Sequence, residues 1–142
     1  LFMTLSFNMS DNILSIEETR GYSSAALSFF GDCAWEILVR RYILSRGNAP
    51  SGKLHNRSVE MVRAAYQSAA VGLIEDILTE EEADVFRRGR NASGMQVPKS
   101  ATPAEYHRAT GLEALFGYLF LIGEYDRANQ LFEVILNGNN QK

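Results

Sequence analysis

Residues 23–45, SSAALSFFGDCAWEILVRRYILS, set the first constraint on this chain. Ser23 or Ser24 can cap a helix that runs to about Ser45, and Ala26, Phe30, Cys33, Ile37 and Leu44 recur at the helical period. Trp35, Val39 and Tyr42 add a second apolar face. A rod that is apolar on two sides either lies deep in a core or packs a core on one side and a partner on the other. Ser28, Asp32, Glu36 and Arg40 stand four residues apart and form one polar ridge along it. Glu36 and Arg40 also fit an ordinary i,i+4 pair on a solvent-facing stripe. Gly31 is harder to place. Glycine inside a helix costs about 1 kcal/mol relative to alanine, and close approach of another backbone is the usual compensation.

The rest of the chain repeats the helical theme. RGNAPSG, residues 46–52, reads as a loop, and a helix over about 56–78 carries Val59, Val62, Tyr66, Ala69, Leu73 and Ile77 on one stripe. Thr79 with Glu82 has the capping-box pattern of a short helix ending near Gly89. A long polar loop, GRNASGMQVPKSA, spans 89–101. Thr102, Pro103 and Glu105 then open a helix that runs to about Ile122 and stops at Gly123. A last helix, about 124–136, places Ala128, Leu131, Phe132 and Ile135 inward. Strand signals are weak, and no internal repeat or domain linker is present. The expectation is one all-α domain with roughly five main helices over 22–137. Residues 1–21 read as a flexible or tag-derived extension and 138–142 as a tail.

Composition narrows the function. The 142 residues are 46% apolar and 22% charged, the balance of a soluble globular domain. No run approaches eighteen apolar residues, so no membrane partner is expected. The start lacks a signal-peptide pattern, but it begins at Leu1 rather than Met, so a targeting segment could have been removed. The single cysteine, Cys33, favours a reducing compartment. His55 and His107 have no zinc-ligand spacing with each other or with Cys33. Neither a P-loop nor a serine-hydrolase elbow is present.

The net charge of −3 hides a segregation. Arg40, Arg41, Arg46, Lys53, Arg57 and Arg63 face one acid, Glu60, within 40–63. Arg87, Arg88, Arg90, Lys99 and Arg108 face one acid, Glu105, within 87–108. The acids Glu75, Asp76, Glu80, Glu81, Glu82 and Asp84 lie between them. Brought together, the two basic segments would form a phosphate-facing surface; left apart, they are a mixed-sign exterior. A second carboxylate also sits in apolar surroundings: Glu113 in ATGLEALFGYLFL, flanked by Gly111 and Gly117. Two helices thus each present an acid beside a glycine. Packed together, they would bring Asp32 and Glu113 to one point, a hard-oxygen pair suited to Mg²⁺.

FFGDCAWEILVRRYIL resembles the signature helix of ribonuclease III domains, whose pattern reads close to FLGDAV. With KLHNRSVEMVRAAYQSAA and RRGRNASGMQVPKSATPAEYHRATGLEALFGYLFLIG in that order, the chain is similar to the short form of the family, Mini-ribonuclease III, which lacks a double-stranded-RNA-binding domain. The resemblance spans about residues 22–136. It implies a homodimeric helical bundle that cleaves double-stranded RNA with Mg²⁺, leaves 5′-phosphate and 3′-hydroxyl ends, and matures large-subunit ribosomal RNA precursors. DNA is not an expected partner. The expected setting is the bacterial cytoplasm, or a chloroplast or other organelle if a leader is missing.

By the family pattern Asp32 and Glu113 are the catalytic, metal-binding acids. Ser28 and Thr110 stand where longer relatives carry two more acids, a reduced set that the short form shares. Glu36, Gly31 and Thr110 are expected to support the site or the dimer. Lys53, His55, Arg57, Arg63, Arg87, Arg88, Arg90, Lys99 and Arg108 are expected to grip RNA through phosphates and 2′-hydroxyls. Two other classes compete: a non-catalytic ribonuclease III-like RNA-binding or ribosome-assembly protein, and a plain helical dimerisation module. Cleavage of a duplex in Mg²⁺ separates them from the enzyme.

Overall fold

The computed structural model describes residues 4–92, 94 and 96–140. Among these, the elements are all helical: α1 (Ile16–Thr19), α2 (Ser24–Ser45), α3 (Ser51–Val62), α4 (Ala64–Ile74), α5 (Glu80–Arg90), α6 (Pro103–Leu121) and α7 (Tyr125–Asn140), with single 3₁₀ turns at Met9–Asp11 and Glu75–Ile77. The helix starts follow local chemistry. Ser23 accepts the Ala26 amide at 3.1 Å to open α2. Thr79 with Glu82, and Thr102 with Glu105, close the two expected capping boxes. Gly123 ends the α6 segment at φ +77°, a left-handed turn that glycine adopts freely.

The centre of the molecule is α6. From Ala109 to Leu119 every residue except Glu113 is buried, and α2, α4, α5 and α7 all pack against this helix. Glycines set how closely they pack. A Cβ at Gly31 on α2 would overlap the Glu113 carbonyl group, and one at Gly117 on α6 would overlap the Leu27 carbonyl and lie 2.8 Å from the Gly31 nitrogen. The two backbones therefore touch, which is the compensation expected for a glycine within α2. On another side of α6, a Cβ at Gly89 would lie 2.8 Å from the Ala114 Cβ and 3.1 Å from the Gly111 Cα.

Trp35 anchors the core. It is 1% exposed and packs edge-on against Phe116 and Phe132, with ring centroids 5.1 and 5.3 Å away. Its indole Nε1 donates to the Met61 carbonyl at 2.9 Å. This bond accounts for a departure from expectation. The stretch 56–78 is not one helix but breaks at Arg63, whose backbone is extended (φ −68°, ψ 149°), and the first part begins earlier, at Ser51. The break takes Met61 out of the ordinary i,i+4 ladder, and the indole claims its carbonyl. It also resets the helical phase. Gln67, Ala70, Val71 and Ile74 point inward on α4, whereas Ala69 and Ile77 from the expected stripe are exposed.

On α2 the buried side is Leu27, Gly31, Ala34, Trp35, Val39 and Ile43. Cys33, Ile37 and Leu44, from the first expected stripe, are exposed together with Phe29. The chain ends depart from expectation too. The segment 1–21 is not wholly an extension: the Leu14 amide donates to the Leu121 carbonyl at 2.8 Å, and Arg20 bonds Glu81 at 3.1 Å. At the other end α7 continues to Asn140, into the expected tail.

Glycine substitutions distinguish close approach from mere tolerance. Gly31→Ala and Gly117→Ala are each expected to cost at least about 3 kcal/mol, because backbone must separate from backbone. At Gly72, exposed on α4 with only an arginine side-chain tip 3.9 Å away, alanine should stabilise by about 0.5–1 kcal/mol. Urea unfolding of the three variants checks the contrast.

Candidate active site

Asp32 follows Gly31, and Glu113 is the residue whose carbonyl Gly31 abuts. The same crossing therefore carries both acids, and their carboxyl groups meet within hydrogen-bonding range. Asp32 is exposed and Glu113 is mostly buried. Burial first, and then the hydrogen bond and charge of Asp32, push the Glu113 carboxyl up to about 8 from an ordinary 4.5. Near neutrality the pair accordingly retains a proton, and no basic side chain among the described residues forms an ion pair with either acid.

The neighbouring positions add no third acid. Thr110, 9% exposed, donates its hydroxyl to the Tyr106 carbonyl at 2.9 Å, and Ser28 donates to the Ala25 carbonyl at 3.2 Å. Glu36 pairs with Arg40 at 2.9 Å, as the i,i+4 reading anticipated. Among the described residues no group of three or more His, Cys, Asp and Glu could hold a metal ion. The donor set is thus two carboxylates, one partly buried and one exposed. That set fits a hard divalent cation which keeps several waters, and a cation there would offset the burial and the Asp32 charge that together raise Glu113.

The nine basic residues do not share one fate. Lys53, His55 and Arg57 are exposed on α3, and Lys99 is exposed in the loop before α6. His55 lines a cavity of about 230 Å³ with Arg40 and Leu54, while Arg57 lines a different one of about 470 Å³ with Arg46 and Tyr42. Arg63 is bonded to Glu60, and Arg87 and Arg88 share Asp84. Arg90 stacks over Phe86, 5.5 Å from the ring centroid. Arg108 is turned inward and donates to the Ser68 carbonyl at 3.3 Å, tying α6 to α4.

One cavity of about 390 Å³ lies beside Glu113 itself. Val62, Arg63, Ala64, Ala65 and Gln67 wall one side; Pro98, Ser100, Ala101, Tyr106 and Ala109 wall the other. Of these only Arg63 was expected at a site from sequence. Gln67 and Tyr106 were missed, and the available signal was a lone amide in the apolar run RAAYQSAA.

Comparison with known proteins gives this geometry a family. A model of the Ribonuclease III domain matches residues 25–124, which hold both acids, α3 to α6 and all of α2 but its first residue. The chain belongs to the ribonuclease III family. A Mini-ribonuclease 3 from Thermoanaerobacter is 37% identical over 130 residues, covering 92% of each chain. Another from Symbiobacterium thermophilum is 44% identical over 107 residues, 75% of this chain and 82% of that one. A crystal structure of a Fusobacterium nucleatum protein superposes with a TM-score of 0.77 at 31% identity, over 86% of this chain and 98% of the other. The all-α reading and the family resemblance therefore hold, and the chain is an endoribonuclease of the ribonuclease III type. Among the described residues, no helix is long and apolar enough to cross a membrane.

The raised carboxyl predicts a pH dependence with a definite sign. Unfolded, Glu113 releases its proton near 4.5; folded, it holds one to about 8. Its contribution to stability is complete below about 4.5, shrinks as pH rises, and is gone above about 8. Without divalent cations the protein should lose roughly 2–4 kcal/mol across that window. Glu113→Gln should flatten the slope, and millimolar Mg²⁺ should raise the wild-type melting temperature at pH 8 but not that of the variant. Thermal melts across pH, with and without Mg²⁺, test both halves.

Proposed function

We propose that this endoribonuclease cleaves double-stranded RNA with Mg²⁺ held by Asp32 and Glu113, and that it works as a homodimer. The observation that carries the reading is the meeting of these two carboxyls across the α2–α6 crossing, in a chain of this family. When bound, the cation supplies charge neutralisation at a phosphodiester and an acidified water. The chain's own residues do the rest. Asp32 offers its carboxylate from the exposed side and Glu113 from the buried side. Gly31 and Gly117 set the separation by letting the two backbones touch. Lys53, His55, Arg57 and Lys99 are free to meet phosphates. Arg63, Arg87 and Arg88 hold surface ion pairs weak enough to exchange for phosphate oxygens. Duplex RNA gripped this way is read by shape, and the binding constant falls steeply with salt. The likeness to Mini-ribonuclease III points to a large-subunit ribosomal RNA precursor as the natural duplex.

The exposed side of α2 supports the homodimer. Phe29 is 82% exposed, Ile37 44% and Leu44 57%, and Cys33 lies between Phe29 and Ile37 at four-residue spacing. This is the second apolar side of a helix whose first side is already committed to the core. A second copy packing its own α2 against it would cover the stripe and hold two sites in fixed relation, one for each RNA strand.

In an assay on duplex RNA with Mg²⁺, Asp32→Asn and Glu113→Gln should each lower the single-turnover cleavage rate by about a thousandfold or more while both variants stay folded. Duplex binding without cleavage by the wild-type protein would turn the reading to a non-catalytic RNA-binding protein. Phe29→Glu should shift the protein from dimer to monomer in sedimentation equilibrium, leaving its helical circular dichroism unchanged; a variant still dimeric at micromolar concentration rules out the α2 seam.

A further inference from the structure

Gln67 is a deeply buried polar side chain that neither the core nor the two-acid site uses. It is 4% exposed, sits in the first turn and a half of α4, and lines the 390 Å³ cavity that Glu113 also lines. Its backbone amide is satisfied by the Arg63 carbonyl at 3.0 Å. Its side-chain amide makes no hydrogen bond to another described residue, and Gln67 lines the cavity. An amide left unpaired inside a protein costs stability, and an apolar residue of the same length would fill an ordinary core position better. Its helix is otherwise rich in small apolar residues, and Val62, Ala64, Ala65, Ala101 and Ala109 make the cavity wall apolar around it.

We infer that Gln67 is a specificity-determining residue whose side-chain amide hydrogen-bonds a ribose 2′-hydroxyl next to the scissile phosphodiester. The chemistry selects this group over the alternatives. Phosphate oxygens only accept, and Arg63, whose guanidinium is paired with Glu60, lines the same cavity as a charged donor for them. A neutral amide adds little attraction for a phosphate. It both donates and accepts, as a 2′-hydroxyl does, and that hydroxyl is what separates RNA from DNA at a given position. The small side chains around it leave room for a sugar edge, and Glu113 in the same wall places that edge beside the reacting phosphate.

This inference rests on the cleavage reading above, and one experiment separates their failures. Duplex RNAs carrying a single 2′-deoxy substitution at each position flanking the cut are cleaved under single-turnover conditions by the wild type and by Gln67→Met. The wild type should lose about tenfold at one flanking position. Gln67→Met should cut the all-ribose duplex about tenfold more slowly and show no further loss at that position. A merely structural role for Gln67 would slow all substrates alike and leave the deoxy penalty intact, which overturns the inference. So does a wild type indifferent to every single deoxy substitution, a result that needs no variant to fold. Gln67→Asn, shorter by one methylene and still both donor and acceptor, should retain part of the deoxy penalty. A wild type that cuts no duplex removes the cleavage reading and this inference together.

Discussion

Helices α2 and α6 meet backbone to backbone, and the rest of the molecule is arranged around that contact. Packed helices usually lie about 8–10 Å apart because side chains hold them off. At Gly31 and Gly117 no side chain intervenes, and any Cβ would enter the opposite main chain. Each glycine gives up about 1 kcal/mol of helix propensity. The burial that follows is larger. Leu27, Trp35, Val39, Leu112, Leu115, Phe116 and Leu119 all fall to 1% exposure or below around this crossing, and a fully buried side chain of this kind contributes about 1.5–3 kcal/mol. The site is a by-product of the same geometry, since Asp32 is next in sequence to one glycine and Glu113 is the residue that glycine touches.

That geometry also makes the two acids unfavourable when both are ionised. A surface pair of acids would swing apart; here one acid is anchored in a buried helix and the other on the backbone pressed against it. No basic side chain among the described residues pairs with Glu113, and its carboxyl retains a proton to about pH 8. The fold therefore holds two carboxyls together, at a cost in stability that grows as Glu113 gives up its proton. Strain of this kind, set by close packing elsewhere, is the usual signature of a preorganised site.

Much of this was legible in the sequence, and the failures have identifiable causes. The capping residues Ser23, Thr79 and Thr102 act locally, so the starts of α2, α5 and α6 were readable. Gly31 announced a close approach because a helix interior has few other uses for glycine. Which side of α2 was core could not be read, since Trp35 and Val39 on one face and Cys33 and Ile37 on another are comparable in apolar character; tertiary packing alone chose. Likewise Arg108 reads as one more cation in a basic segment, and only the fold shows it spanning to the Ser68 carbonyl.

The break at Arg63 is the most informative of these failures, because it links the core to the cavity. No proline or glycine marks it in RSVEMVRAAYQ, so periodicity carried one helix straight through. A partner far along the chain answers it: the Trp35 indole, three residues beyond Asp32, takes the Met61 carbonyl that the break frees. Had the helix continued, Tyr66, Ala69 and Leu73 would have kept the buried stripe, and Gln67 would have been turned off it. With the break, α4 restarts in a new phase, Gln67 and Ala70 face inward, and an amide arrives at the wall that Glu113 shares. One helix therefore meets the site twice, directly through Asp32 and indirectly through Trp35, which bonds the carbonyl at the break before a neighbour that carries no acid of its own.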